Sequence, residues 1–197
     1  MKELLIATGN NGKLAEIKHA LEGMPFDVIG MKDVFGENID IEEPGNTLEG
    51  NAIIKAMTMG KRSGKLSIAD DTGLEVDALD GEPGVKTARY VPGSDEDRYN
   101  FLLQKMKDVP EGKRGAQFRA VIVIYDPEND KVRIVEGICR GKIMTDALPG
   151  HGFGYDPVFW MEEGERRFSE LTSGQRGKTH RGKALAQAKE ILMNEFV

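Results

Sequence analysis

Short apolar runs and stretches of helical periodicity alternate along this chain, and this alternation limits the folds open to it. Residues 3–7 form an apolar run that ends in the turn-forming residues 8–12. The apolar residues that follow recur at helical spacing: Leu14, Ile17 and Leu21. Further strand-like runs cover residues 26–30, 66–71, 74–78, 117–125, 131–138 and 157–160, and helical patterns follow residues 46, 94 and 179. The chain is therefore predicted to combine helices and strands in an α/β fold.

Two pairs of these runs are close enough in sequence to form hairpins. One hairpin joins the runs on either side of Thr72-Gly73, which are predicted to form a turn, and the other joins the runs on either side of residues 126–130. Because hairpins are antiparallel and a strand–helix–strand unit is parallel, we expect a mixed central sheet. Residues 31–45 are acidic, lack a regular pattern and are expected to be irregular.

The length and charge of the chain exclude several classes of partner. Its 197 residues suffice for one domain with a hydrophobic core, which we expect to cover residues 1–197. Lysine and arginine total 27 against 33 acidic residues, and a net charge of −6 argues against a nucleic acid polymer as partner. No apolar run approaches the roughly 20 residues of a membrane helix, and residues 1–7 lack the long apolar stretch of a signal peptide. We therefore expect a cytoplasmic protein that does not bind a membrane.

The cysteine and histidine content restricts the metal chemistry. Cys139 is the single cysteine and cannot form an internal disulfide, and the chain has three histidines but no CxxC or HExxH zinc pattern. Any metal ion would therefore be a hard cation held by oxygen ligands.

A glycine-containing loop lies between the first strand and the first helix. Its residues are Thr8, Gly9, Asn10, Asn11, Gly12 and Lys13. The free N–H groups and the dipole of a helix N-terminus attract phosphate, and a lysine adds positive charge. The spacing does not match a Walker A loop, because only two residues separate Gly9 from Gly12 and a leucine follows the lysine. From these residues alone, the loop is either a phosphate site or an ordinary connection between a strand and a helix.

Two pairs of adjacent carboxylates could hold Mg²⁺ or accept a proton from water. They are Asp70-Asp71, which precede the predicted turn, and Glu42-Glu43 in the irregular segment. Adjacent strand residues point to opposite faces, so one of Asp70 and Asp71 is expected to face a given site. The alternative interpretation is an acidic turn that is exposed to solvent.

Three further segments each allow a functional and a structural interpretation. A capping box at residues 46–49 is predicted to begin a helix in which Asn51 and Lys55 share one face. Residues 150–154 are rich in glycine but precede a strand, so they do not match a dinucleotide-binding fingerprint and could be a flexible loop. Residues 179–181 either contact a ligand or form a helix cap followed by basic surface residues.

Together these motifs resemble those of the inosine/xanthosine triphosphate pyrophosphatases, which hydrolyse noncanonical purine nucleoside triphosphates. Six blocks in the same order carry the resemblance across nearly the whole chain. They are residues 7–10 with Lys13, 49–52 with 55–56, 69–79, 83–85 with 88–90, 152–159, and 180–182 with 184–185.

The resemblance implies an elongated mixed central sheet flanked by helices, with two lobes and a nucleotide cleft between them, in a homodimer. It also implies that water attacks between the α and β phosphates of ITP, dITP or XTP, giving the monophosphate and pyrophosphate, with Mg²⁺ as cofactor. By position, Asp71 is the implied catalytic acid/base residue beside the metal, and Glu42 or Glu43 is the other metal ligand.

The resemblance assigns the substrate-binding residues as well. Residues 8–13 and Lys55 would bind the triphosphate, Phe153 would stack on the base, and His180 and Arg181 would contact the purine. The other implied contacts to the nucleotide are Thr72, Gly154, Tyr155 and Asp156.

The chain departs from the family pattern at Gln175, where relatives usually carry a lysine five residues before the His-Arg pair. Arg176 and Lys178 are the neighbouring cations, and we expect one of them to supply the missing charge to the substrate. Two other functions stay open: a nucleotide-binding protein without activity, and a hydrolase with another base preference. The presence of the complete acidic set favours an enzyme.

Overall fold

The structure, a computed structural model, describes residues 1–197 and contains one eight-stranded sheet flanked by helices. The strands are β1 (Lys2–Ile6), β2 (Phe26–Gly30), β3 (Leu66–Val76), β4 (Pro83–Gly84), β5 (Gly115–Asp126), β6 (Lys131–Ile143), β7 (Phe159–Met161) and β8 (Arg166–Arg167). The α-helices are α1 (Asn11–Ala20), α2 (Met31–Phe35), α3 (Leu48–Ser63), α4 (Asp95–Lys105) and α5 (His180–Glu195). None of the helices combines the length and the apolar character that crossing a membrane requires.

The sheet is mixed, as predicted. Its strand order is β2-β1-β3-β5-β6-β7-β8, and β4 pairs with β3 outside this path. β1 runs parallel to both β2 and β3, whereas β7 runs antiparallel to β6 and β8. The predicted hairpin on either side of residues 126–130 is confirmed as β5 and β6, which are neighbours in the sheet. The predicted α/β fold class is therefore confirmed.

The turn predicted at Thr72-Gly73 is wrong, because both residues lie inside the continuous strand β3. The apolar residues of β3 keep one alternating phase through this point, with Leu66 and Ile68 before it and Leu74 after it. Because the strand is continuous, the apolar residues before and after the expected turn, such as Ile68 and Leu74, are both buried. Asp71 is consequently a mid-strand residue and does not end a strand.

Two further expectations for residues 31–49 need correction. Met31–Phe35 is a short helix and not irregular, because the Gly30 N–H donates to Asp33 Oδ2 at 2.8 Å and Gly36 ends the helix at φ 79°. The cap of α3 is Thr47 and not Asn46, since Thr47 Oγ1 accepts from the Gly50 N–H at 3.0 Å. The remaining residues, 36–46, contain no helix or strand.

The chain divides into two compact units, each assembled from separate segments. The first unit comprises residues 1–71, 120–137 and 181–197, and the second comprises residues 72–119 and 138–180. In the first unit, apolar residues of α1 and α5 pack with β1, β3 and β5 in one buried core, which includes Leu4, Ile17, Ile68, Ile122, Ala184, Leu185, Ala188 and Leu192. The expectation of a single domain over residues 1–197 stays a prediction.

The second unit has a separate core that is rich in aromatic rings. Phe118 stacks against Phe168 with ring centroids 5.4 Å apart and meets Phe159 edge to face at 4.8 Å. The buried Arg114 guanidinium donates to four backbone carbonyls at 2.7–3.2 Å, those of Met106, Val109, Ile143 and Met144. These bonds connect the end of α4 to the end of β6 without any carboxylate partner for Arg114.

Candidate active site

The loop at residues 8–13 connects β1 to α1, as the sequence predicts. Asn10 is the N-cap of α1, and its Oδ1 accepts from the Lys13 N–H at 3.0 Å. Thr8 is buried, and its Oγ1 accepts from the Asn10 N–H at 3.2 Å. Gly9 and Asn11 are exposed. The loop is therefore held in shape by its own side chains and presents the N-terminal end of a ten-residue helix.

Lys13 belongs to a buried ionic network in the first unit, which we call the Asp70 network: Lys13, Glu16, Asp70 and Arg181. Lys13 Nζ lies 2.6 Å from Asp70 Oδ1, and Arg181 Nε donates to Asp70 Oδ2 at 2.9 Å. Arg181 also pairs with Glu16. Asp70 and Arg181 have side-chain exposures of 0% and 3%, so these charges are satisfied inside the protein.

The charges of the Asp70 network determine the protonation of its members. Burial alone would raise the pKa of Asp70, but Arg181 and Lys13 hold it well below its ordinary value. Burial alone would lower the pKa of Arg181, whereas Asp70 and Glu16 raise it. Burial lowers the pKa of Lys13 in spite of the opposing effect of Asp70. Asp70 is consequently ionised and unsuited to accept a proton from water.

Asp71 has a different set of partners, which we call the Asp71 cluster: Glu43, Asn51, Lys55 and Asp71. Lys55 Nζ lies 2.8 Å from Asp71 Oδ1 and 3.1 Å from Glu43 Oε1. Asn51 Nδ2 donates to Asp71 Oδ2 at 3.3 Å. Asn51 and Lys55 are four residues apart in α3, so both reach Asp71 from one helix face, as their spacing predicts.

The environment of Asp71 makes it a stronger base than an ordinary carboxylate. Burial raises the pKa of Asp71, although Lys55 opposes this effect. Burial would lower the pKa of Lys55, but Asp71 and Glu43 raise it above its usual value. Lys55 is therefore a firmly charged ammonium ion that orients Asp71.

The two acidic residues 42 and 43 have different environments. Glu42 is exposed, whereas Glu43 is partly buried and contacts Lys55. No group of three or more His, Cys, Asp or Glu side chains converges closely enough to hold a metal ion by itself. Glu43 and Asp71 do share a contact with one ammonium group, and Asn51 Oδ1 is buried without a hydrogen-bond partner.

The predicted base-binding loop lies in the second unit and contains two glycines in the left-handed region. Gly152 has φ 97° and Gly154 has φ 64°. Asp156 Oδ2 accepts from the Phe153 N–H at 3.2 Å, and the Gly154 N–H donates to Asp95 Oδ2 at 2.8 Å. The hydroxyl of the buried Tyr155 donates to a backbone carbonyl, that of Thr87, at 3.0 Å. These three hydrogen bonds hold the loop to its surroundings in the second unit.

The segment around Gln175 is a short 3₁₀ helix, Ser173–Lys178. Gln175 Oε1 accepts from both the N–H and the hydroxyl of Thr172, each at 3.1 Å. Arg176 Nη2 forms an ion pair with Asp156 Oδ2 at 2.9 Å, and Lys178 is exposed and makes no ion pair. The charge of Arg176 is thus directed to Asp156, a protein group.

His180 and Arg181 begin α5 and are both buried. The imidazole of His180 stacks on Phe118 with ring centroids 4.7 Å apart and on Phe168 at 5.8 Å. Arg181 lies in the Asp70 network.

Thr72, another predicted substrate contact, is partly exposed in β3. The substrate contacts assigned to Thr72, His180 and Arg181 stay predictions.

Three residues of these groups had no assigned role in the site from the family positions: Glu16 was not a candidate, Asn51 was placed only beside Lys55, and Asp70 was considered only as a member of an adjacent carboxylate pair. Glu16 follows Lys13 by three residues and so shares a face of α1 with it, which is a usable sequence signal. Asn51 shares a face of α3 with Lys55. The pairing of Asp70 with Arg181, which is 111 residues away, has no local signal in the sequence.

The chain is similar to one protein family over almost its whole length. The profile described as the Ham1 family matches residues 4–191. The dITP/XTP pyrophosphatase of Bacillus licheniformis is 42% identical over 195 residues, which cover 98% of each chain. The protein of the same name from Desulforamulus reducens is 40% identical over 198 residues, with 99% of this chain and 98% of that protein covered. The solved structure of the Staphylococcus aureus Ham1 protein has a TM-score of 0.85 at 36% identity and covers 98% of this chain and 100% of that chain. The resemblance stated from the sequence is confirmed, and this chain belongs to the Ham1 family.

Proposed function

We propose that this protein hydrolyses noncanonical purine nucleoside triphosphates, namely ITP, dITP and XTP, to the monophosphate and pyrophosphate. Relatives that match nearly the whole chain are named dITP/XTP pyrophosphatase, which supports this substrate class. The observation that carries the proposal is the Asp71 cluster, in which a buried carboxylate is held by an ammonium and an amide. A protein that only bound nucleotides would have no need of such a base.

Asp71 is the proton acceptor in the proposed reaction. The oxygen of a water molecule forms a bond to the α phosphorus, and the bond from that phosphorus to the bridging oxygen breaks. The proton of the water passes to Asp71, and the electron pair of the broken bond leaves with pyrophosphate. A base must lie in a fixed place to act on a positioned water, and Asp71 is buried and bonded through both of its oxygens. Asn51 and Lys55 fix the direction of its two oxygens.

The balance of charge in the first unit supports a requirement for a divalent cation. The Asp70 network and the Asp71 cluster together contain three cationic side chains and four carboxylates, so they are net negative before any substrate binds. A triphosphate adds several further negative charges, which these side chains cannot offset. We propose that the nucleotide binds as its Mg²⁺ complex.

The oxygen donors of the Asp71 cluster fit Mg²⁺. This ion usually takes one or two protein carboxylates and completes its ligands with substrate phosphates and water, so a third carboxylate is not needed. Asp71 and Glu43 would hold it, and Glu43 is favoured over the exposed Glu42 because it already lies beside Lys55. Bound there, Mg²⁺ would neutralise charge on the phosphate oxygens.

The remaining substrate roles follow the family positions. The loop at residues 8–13 would bind the triphosphate through the N-terminus of α1, and Lys55 would neutralise it. The proposed contacts to the rest of the nucleotide are Thr72, Phe153, Gly154, Tyr155, Asp156, Gln175, Lys178, His180 and Arg181. The homodimer and the cytoplasmic location expected from the sequence stay predictions.

Product identity tests this function. Incubation with dITP and Mg²⁺ in ¹⁸O-labelled water should release pyrophosphate without label and dIMP with one labelled oxygen. Stepwise appearance of dIDP and orthophosphate would reject the proposed bond and indicate an ordinary phosphohydrolase. Label in pyrophosphate would show that the β phosphorus is attacked instead. A reaction with EDTA in place of Mg²⁺ should give neither product.

A further inference from the structure

The ion pair between Asp156 and Arg176 is a buried contact within the second unit. Arg176 Nη2 lies 2.9 Å from Asp156 Oδ2, and the side-chain exposures are 12% and 8%. The same carboxylate oxygen accepts from the Phe153 N–H at 3.2 Å. Arg176 Nη2 also donates to the Phe168 carbonyl at 3.4 Å. One carboxylate thus joins the 3₁₀ helix Ser173–Lys178 to the backbone of the loop that contains Phe153.

The backbone of this loop is built around the pair. A Cβ atom placed on Gly152 would overlap both Asp156 Oδ2 and Arg176 Nη2, so only glycine allows the chain to pass this close to them. Gly152 also has a φ of 97°, which other residues rarely adopt. The position of the Phe153 backbone therefore depends on the place that the carboxylate of Asp156 occupies.

Arg176 holds that carboxylate by an ion pair. The adjacent Gln175 carries no charge, and its amide oxygen is used at the start of the 3₁₀ helix by Thr172. Lys178 is exposed and forms no ion pair. Without Arg176, the buried Asp156 carboxylate would lose an ion pair at 2.9 Å, which is unfavourable, and its oxygen Oδ2 would shift from its present place. This shift weakens the bond that Oδ2 accepts from the Phe153 N–H.

We propose that Arg176 is a positioning residue for the purine: it holds Asp156, and Asp156 holds Phe153 in the place where its ring meets the base. This inference rests on the proposed function, because it concerns the same nucleotide. In this proposal the positive charge of Arg176, next to Gln175, stabilises the loop that contains Phe153. The sequence had suggested instead that a charge at this place contacts the substrate. The consequence is that Arg176 acts on substrate binding and not on the chemical step at Asp71.

The test compares Arg176→Ala and Arg176→Lys with Arg140→Ala, which removes an exposed arginine that pairs with Asp77 in the same unit. Two quantities are measured for each: KM and kcat with dITP, and amide hydrogen exchange at Phe153 and Gly154 in the protein without nucleotide. Arg176→Ala should raise KM about ten- to a hundredfold, the effect of losing one hydrogen bond to a charged group, and leave kcat within about threefold. Exchange at Phe153 should accelerate, while Gly154, held by Asp95, changes less.

The lysine variant and the control make the result specific. Arg176→Lys keeps the charge but loses the planar group, so its KM should lie between those of the wild type and the alanine variant. Arg140→Ala should match the wild type in KM, kcat and exchange. If Arg176→Ala does not fold, a raised KM in a folded Arg176→Lys supports the proposal, and an unchanged KM overturns it.

The outcomes separate this proposal from the proposed function. If the wild-type protein releases no pyrophosphate from dITP, the proposed function fails, and the positioning role is then judged by exchange at Phe153 and by the Kd for dITP. Unchanged exchange at Phe153 in Arg176→Ala overturns the positioning role. A fall in kcat at constant KM also overturns it, since that result would place Arg176 in the chemical step.

Discussion

Replacement of Asp70 by asparagine should destabilise the protein much more than the same change at an exposed carboxylate would. Asp70 is fully buried and holds two cations, Lys13 at 2.6 Å and Arg181 at 2.9 Å. The asparagine side chain would retain one carbonyl oxygen as acceptor and could not neutralise either cation. Removal of one member of a buried ion pair typically costs about 3–5 kcal/mol. For Asp70→Asn we expect the free energy of unfolding to fall by about 3 kcal/mol, the lower end of this range. The loss is limited because Arg181 still pairs with Glu16, and because Lys13 is 16% exposed and can be solvated by water.

Urea denaturation and thermal melting measure this loss. For a chain of this length, about 3 kcal/mol corresponds to a fall in Tm of roughly 6–12 °C. The matched control is Asp77→Asn, whose carboxylate pairs with Arg140 at the surface with side-chain exposures of 54% and 48%. An exposed pair contributes about 0–1 kcal/mol, so the control should lose little stability. Equal losses in the two variants would refute the argument that burial determines the cost.

Three other outcomes are expected. Arg114→Met removes the guanidinium donor from four backbone carbonyls, of which that of Met106 also accepts from a backbone N–H, that of Val109. At about 1–3 kcal/mol for each of the other three, the free energy of unfolding in urea should fall by about 3 kcal/mol or more. Lys55→Met removes the cation shared by Asp71 and Glu43 and should lower kcat for dITP about 10²–10³-fold; a kcat near the wild-type value would contradict its role. A site that pairs with the 6-oxo group and N1–H should disfavour dATP by on the order of 10⁴ in kcat/KM; comparable values for dITP and dATP would exclude that selectivity.

The sequence predicts the elements of this fold well wherever local periodicity is strong. The helix spacing of Leu14, Ile17 and Leu21 and the apolar run of β5 lead directly to elements that the structure contains. The error at Thr72-Gly73 arose because aspartate, threonine and glycine are typical of turns. The signal against a turn was present: the large aliphatic residues of β3 occupy even-numbered positions on both sides of it, and a two-residue turn would have shifted that phase.

The candidate site could be predicted only in part, because its contacts join distant segments. Asn51 and Lys55 could be placed together from their spacing of four residues in a helix. No pattern in the sequence connects Asp70 with Arg181 or Asp156 with Arg176, since these pairs depend on how the strands and loops pack. Arg176 could therefore be identified from the sequence as a cation next to Gln175, but its ion pair with Asp156 could not be predicted.

The most direct test of the account is the turnover of Asp71→Asn with dITP and Mg²⁺. The substitution keeps the shape of the side chain and removes both the negative charge and the ability to take a proton from water. Loss of a general base typically lowers the rate about 10²–10⁴-fold, and the loss of a proposed metal ligand would add to this. We expect kcat to fall by at least this amount, with an unchanged circular dichroism spectrum and an unaffected Asp77→Asn control. A kcat for Asp71→Asn close to that of the wild type would contradict the central claim that this buried carboxylate activates the water.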